Sequence, residues 1–157
     1  MSFKFTEENL KRIEEVRKKY PTALAAVMPV VYIAQEQNGY ISNEVMEEIA
    51  AVLGVDKVNV LSVVTFYTMY YTKPMGKYHV QVCTNVLCML RGGYEIWDNI
   101  KTKLGLDHMQ VSDDGKFSLE EVECMGACGY APMFAINEDF YENLTKEKVE
   151  EILNSLN

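Results

Sequence analysis

The order of hydrophobic patterns along the chain predicts an α+β fold: an N-terminal four-helix bundle over residues 1–73, then an α/β domain with a small mixed sheet over residues 74–157. Three observations carry that prediction. Apolar residues recur every three or four positions through the first half, with cap residues and glycines between the repeats. Beyond Pro74 and Gly76, which mark a domain boundary, the spacing changes to strand alternation broken by turns. All four cysteines fall in this second half, as the close pairs Cys83–Cys88 and Cys124–Cys128.

The first helix is expected from Thr6 to Lys19. Thr6 caps it, two glutamates occupy the first turn, and Arg17-Lys18-Lys19 complement the C-terminal dipole. Leu10, Ile13, Val16 and Tyr20 form its expected buried stripe, and Tyr20-Pro21 ends it. A second helical pattern, Ala23 to Gln37, contains Pro29, which is expected to kink or split it, and Gly39 supplies its stop. Ser42 caps a third helix, Asn43 to Leu53, with Val45, Met46, Ile49, Ala50 and Leu53 on one face. Asp56 caps a fourth, from Lys57 to about Val64. These helices contain no histidine, no cysteine and no glycine-rich phosphate loop, so no catalytic constellation is visible in them. The aromatic run Phe66-Tyr67-Thr68-Met69-Tyr70-Tyr71 is expected to pack internally, with docking on another protein as the alternative.

In the second half, Lys77 to Cys83 alternates as a strand, with Tyr78, Val80 and Val82 on one face. A loop carries Cys88, and Arg91-Gly92-Gly93 leads into a helix ending near Leu104-Gly105. Asp113-Asp114-Gly115 turns the chain into a second strand, Phe117 to Glu123, which delivers Cys124. Strands Met133 to Ile136 and Phe140 to Glu142 follow, then a helix capped by Thr145 with the stripe Val149, Ile152, Leu153 and Leu156. The order β-α-β-β-β-α fits a small mixed sheet with helices on its faces, as in thioredoxin-like folds.

Charge narrows the partners. The net charge is −8, and it is uneven: 12 basic and 11 acidic residues precede Asp107, whereas 3 basic and 12 acidic follow from there on. No basic face emerges to neutralise phosphates, which argues against nucleic acid. An acidic face near Cys124 and Cys128 suits a protein partner or a lowered redox potential, and a solvated surface that maintains solubility is the plain alternative. No apolar run approaches the roughly 20 residues a membrane span requires. The start is charged early, lacks the apolar block of a signal peptide and is too acidic for an organelle transit peptide, so the chain is expected to be cytosolic or already processed.

That compartment weighs against disulfides and in favour of metal ligation by the cysteines. Both pairs sit where a strand gives way to a loop. Soft thiolates select zinc or iron–sulfur clusters. The loop Cys124-Met125-Gly126-Ala127-Cys128-Gly129 contains small residues that let backbone N–H groups reach sulfur, a feature that tunes clusters. Leu87, Met89, Met125 and Met133 are expected to cover the site. Structural zinc stays open as the alternative, although the spacings are unlike zinc knuckles. The Cys-x-x-Cys of a disulfide exchange enzyme is absent, as is the further Cys-x-x-Cys of plant-type ferredoxins. His79 and His108 lie outside any Cys-x-His pair and read as ordinary strand or loop residues.

The run Val122-Glu123-Cys124-Met125-Gly126-Ala127-Cys128-Gly129-Tyr130-Ala131-Pro132, with Cys83-x4-Cys88 upstream, resembles the E-type subunit family of NADH:quinone oxidoreductase (respiratory complex I). Gln35-Glu36-x2-Gly39-Tyr40 and Thr65-Phe66-Tyr67-Thr68-Met69 agree with it. The resemblance implies a helical N-terminal domain and a thioredoxin-like domain binding one [2Fe–2S] cluster through Cys83, Cys88, Cys124 and Cys128. It implies an electron-carrying component of an oxidoreductase, docked on a flavoprotein subunit that itself binds NADH and FMN. The assembly would lie on the cytoplasmic side of a membrane without this chain inserting in it. Related chains in NAD-linked hydrogenases and formate dehydrogenases share the ligand motif. A zinc-stapled interaction module and a free-standing ferredoxin are the other readings held against it.

Overall fold

The structure, a computed structural model, describes residues 3–156. Two compact units emerge, Met1–Pro74 and Met75–Asn157.

The first unit contains four α-helices among its described residues. Thr6 Oγ1 accepts the Asn9 N–H at 3.2 Å and opens α1 (Glu7–Arg17). Its buried stripe differs from the expected one. Ile13 is buried and Val16 partly so, but Leu10 and Tyr20 are exposed and Asn9 turns inward instead. The cause is a polar contact: Asn9 Nδ2 donates to Gln37 Oε1 at 2.7 Å, and Arg12 donates to Asn9 Oδ1 and to Glu36. After a 3-10 turn at Leu24–Ala26 comes α2 (Val27–Asn38). Pro29 lies in the first turn of α2, where its missing N–H has no intrahelical partner to lose, so it neither kinks nor splits the helix. Gly39, at φ +83°, closes α2 in the left-handed region.

Ser42 Oγ caps α3 (Asn43–Leu53), and all five residues of its expected face are buried. Burial of side chains of this size contributes about 1.5–3 kcal/mol for each large one. The fourth helix, α4 (Lys57–Phe66), runs two residues further than expected, and Asp56 precedes it without a side-chain capping bond. α2 packs against α1, α3 and α4, and one apolar core joins them.

Gln35 fastens the segment after α4. Its Nε2 donates to Met69 O at 2.9 Å and its Oε1 accepts the Tyr71 N–H at 2.8 Å. Tyr70 is thereby sunk into the core with its hydroxyl donating to Met28 O at 2.9 Å. Phe66, in contrast, is 77% exposed, so internal packing holds for one end of the aromatic run and not for the other.

The second unit is a five-stranded mixed sheet with helices. Its elements are β1 (Tyr78–Cys83), α5 (Val86–Leu90), α6 (Gly93–Leu104), β2 (Gln110–Val111), β3 (Phe117–Val122), β4 (Phe134–Ile136), β5 (Asp139–Tyr141) and α7 (Lys146–Ser155). The sheet order is β2-β3-β1-β4-β5. β1 and β3 are parallel, Tyr78 opposite Phe117 through Cys83 opposite Val122, and the other pairs are antiparallel. Two features depart from the expected order. A two-residue strand, β2, precedes β3, held by the Met109 N–H to Leu119 O bond at 2.7 Å and its ladder. Cys88 sits on a short helix, α5, in place of a loop. Val80, Val82, Leu119, Phe134 and Ile136 form one buried face with Ile96, Trp97 and Ile100 of α6 and Val149 and Leu153 of α7.

The opposite face of β1 and β3 carries polar groups. His79 Nδ1 lies 2.8 Å from Ser118 Oγ and its Nε2 lies 3.0 Å from Glu120 Oε2, which also accepts from Gln81 Nε2 at 2.8 Å. Burial raises the Glu120 carboxyl, but the bonds from His79 and Gln81 outweigh it and hold the group below its ordinary range.

Candidate metal centre

Parallel pairing of β1 and β3 brings their C-terminal ends to the same end of the sheet, and each leads directly into a cysteine pair. Cys83 is the last residue of β1, 3% exposed, with its N–H donating to Met133 O at 3.3 Å. Its thiol is 4.0 Å from Glu123 O. Asn85 then caps α5, its Oδ1 accepting the Val86 N–H at 2.7 Å. That single turn swings Cys88 back beside Cys83, where it is 2% exposed.

Cys83, Cys88, Ala131 and Met133 form a small apolar nest of their own, with Val122, Met125 and Ala127 against it. Within it the Cys88 thiol is pushed up to about 11, first by burial and then by the hydrogen bond and charge of Cys83. The Met133 N–H partly offsets this, and Cys128 adds to it. Cys124 and Cys128 are exposed. Gly126, at φ +78°, aims its N–H at Cys124 Sγ across 3.4 Å, a left-handed turn that glycine takes without strain.

Cys83 and Cys88 are thus in contact and Cys128 acts on Cys88. Among the described residues no three His, Cys, Asp or Glu side chains gather around one point. The expected cover is half realised. Met133 is fully buried and Met125 partly, while Leu87 and Met89, on the outer side of α5, are 46% and 43% exposed. His79 serves the sheet network, and His108 Nδ1 accepts the Glu121 N–H at 3.0 Å. Sequence reasoning passes over Thr84, whose hydroxyl donates to Glu121 Oε1 at 2.8 Å. The polar alternation of Ser118 and Glu120 opposite His79 and Gln81 is the visible signal that these strands lie side by side.

The donor chemistry suits an iron–sulfur group. The nest offers thiol sulfur as its main side-chain donor among the described residues, and its apolar walls disfavour an unpaired thiolate. Bound metal supplies the positive charge such sulfurs lack, and backbone N–H groups already point at Cys88 and Cys124.

Comparison with known proteins gives the class. Residues 13–157 match the thioredoxin-like [2Fe–2S] ferredoxin family, and the chain belongs to that family. Its relatives are more specific. It is 44% identical over 158 residues to the E-type subunit of the NADH-quinone oxidoreductase of Rickettsia bellii, covering 99% of this chain and 95% of that one. It is 39% identical to a second form of the same NADH-quinone oxidoreductase component in Rhizobium meliloti, covering 91% and 85%. The mitochondrial NADH dehydrogenase [ubiquinone] flavoprotein 2 of Dictyostelium discoideum is 42% identical, over 98% of this chain and 64% of that one. A solved NAD+-reducing [NiFe]-hydrogenase in the H2-reduced state contains the same fold, with a TM-score of 0.74 over 87% of this chain and 23% of that one at 13% identity.

Proposed function

We propose that this chain is the electron-transfer component of an NADH:quinone oxidoreductase and that Cys83, Cys88, Cys124 and Cys128 hold one [2Fe–2S] cluster. The observation that carries the reading is the placement of two cysteine pairs at the adjoining C-terminal ends of β1 and β3, in a chain of the [2Fe–2S] family. When bound, such a group takes up and releases single electrons at sulfur-ligated iron.

The residues divide the work. The buried Cys83–Cys88 pair faces Met133 and Ala131, which exclude water, and the exposed Cys124–Cys128 pair lies on the side open to a partner. The acidic residues that follow Asp107, Glu121 and Glu123 among them, favour the lower part of the iron–sulfur potential range. The partner is a flavoprotein subunit that binds NADH and FMN, which this chain does not bind itself. Residues 1–73 form a four-helix bundle domain and residues 74–157 the ferredoxin domain. The complex sits at the cytoplasmic side of a membrane, with this chain peripheral. No helix among the described residues is long and apolar enough to cross one. The 44% and 39% identities to NADH-quinone oxidoreductase components favour this assembly over a hydrogenase, whose likeness is one of fold.

Purified chain is expected to be reddish, with two irons and two sulfides, an EPR signal appearing on reduction, and an FMN-containing protein co-purifying. A colourless chain with one tightly held zinc refutes the reading.

A further inference from the structure

Where β1 and β3 lead into the two cysteine pairs, a side-chain bond joins the residue after β1 to the end of β3. Thr84 directly follows Cys83, and Glu121 lies three residues before Cys124. The β1–β3 ladder extends past Cys83 through the Thr84 N–H to Val122 O bond at 3.2 Å. Beside it the Thr84 hydroxyl donates to Glu121 Oε1 at 2.8 Å. Glu121 is held from its other side, because its backbone N–H donates to His108 Nδ1 at 3.0 Å. Both side chains are half-buried, and among the described residues no lysine or arginine pairs with Glu121. The hydroxyl therefore supplies the bond that fixes this carboxylate oxygen.

We infer that Thr84 and Glu121 are positioning residues for the cluster: their hydrogen bond sets the spacing between the Cys83 and Cys124 loops and with it the geometry of the sulfur ligands. This rests on the ligand assignment proposed above. A strand ladder alone leaves its last residues free to fray, and Cys83 and Cys124 stand at or beyond those last residues. Groups just outside a metal's ligands help to orient those ligands. A carboxylate held by a hydroxyl also makes a directional bond, stronger than one between neutral groups.

The test uses the full chain loaded with its cluster. Thr84→Val keeps the shape and removes the hydroxyl, Thr84→Ser restores it, and Glu121→Ala removes the acceptor. Far-UV circular dichroism checks the fold, and the readouts are the EPR line shape of the reduced protein and the rate of iron loss to a chelator. Thr84→Val and Glu121→Ala are expected to lose iron roughly tenfold faster, the weight of one charge-assisted hydrogen bond. Both are expected to alter the line shape in the same way, and the double variant is expected to be no worse than either single one. Thr84→Ser is expected to behave as the unsubstituted chain. Unchanged line shape and iron loss in Thr84→Val overturn the inference, as does additivity in the double variant. Should Thr84→Val fail to fold, an unchanged Glu121→Ala overturns it alone. An unsubstituted chain without a [2Fe–2S] signal refutes the proposed function instead, so the two failures are distinct.

Discussion

Gly76→Ala is a severe test of how the second unit is put together. A Cβ at Gly76 would lie 2.4 Å from the Phe117 carbonyl carbon, 2.7 Å from its oxygen and 2.7 Å from the Ser118 nitrogen. All three are backbone atoms, so no side chain can swing aside, and the start of β3 must retreat by about 1 Å to reach ordinary contact. Overpacking of that kind costs about 1–3 kcal/mol. The retreat also strains the Gly76 N–H to Ser118 Oγ bond at 3.0 Å, worth about 1 kcal/mol. The sum, about 2–4 kcal/mol, corresponds to a fall in melting temperature on the order of 10–25 °C for a unit of this size. Trp97, the single tryptophan, is buried in the second unit and reports its unfolding by fluorescence. Gly115→Ala is the comparison: Gly115 has φ +68° but nothing within 4 Å of a Cβ, so the left-handed conformation alone is charged against it, at about 1 kcal/mol. A Gly76→Ala melting temperature within about 2 °C of the parent, or a larger fall for Gly115→Ala, refutes the reasoning.

Other outcomes follow from the same geometry. Cys124→Ser and Cys128→Ser are expected to lower iron content while helical circular dichroism is kept, since a hard oxygen replaces a soft sulfur; normal iron content in all four cysteine-to-serine variants would overturn the ligand assignment. Glu120 has its carboxyl held below the ordinary 4.5 in the folded chain. It therefore contributes stability above that pH, and the contribution is lost as pH falls through the lower folded value. Between roughly pH 5 and 3, the window set by the direction of that shift, Glu120→Gln should lose less stability than the parent by Trp97 fluorescence; identical slopes would remove the network from the account. Gln35→Ala leaves Met69 O and the Tyr71 N–H without their partner and should lower the denaturant-derived stability by about 1–3 kcal/mol. Gln35→Glu keeps an acceptor for Tyr71 but turns a carboxylate oxygen on Met69 O in place of the donor, so it should not restore the loss; parent-like stability in either variant would dismiss the role of these two bonds.

Local signals carry much of the fold. α3 is legible to the residue because Ser42, Gly54 and a clean apolar face agree. The stripe of α1 misleads at Leu10, since an asparagine that buries itself against a distant glutamine leaves no periodic trace. Pro29 is legible as a perturbation, but its harmlessness depends on where α2 begins, and the weak 3-10 turn before it hides that point. β2 is two residues long and exposed, so it exists through its partner β3 and not through its own alternation. The cysteine spacing is visible at once. What spacing cannot convey is that five residues from Val86 to Leu90 wind into a helix, burying Cys88 and turning Leu87 and Met89 outward. The tie from Thr84 to Glu121 spans 37 positions in sequence and depends on the strand register, which local patterns do not encode.

The parallel pairing of β1 with β3 also governs the order in which the thiols can meet during folding. Only four residues separate Cys83 from Cys88, so these two can find each other early, whereas 35 residues separate Cys88 from Cys124. The length-dependent part of the closure entropy is about 1 kcal/mol for the short loop and roughly 3 kcal/mol for the long one. Closing the longer loop is therefore the costlier step, and the pairing of β1 with β3 is what holds it closed. On the ligand assignment proposed above, a nascent chain would offer two of the four sulfurs before the other two, and full metal loading would report that the sheet has closed.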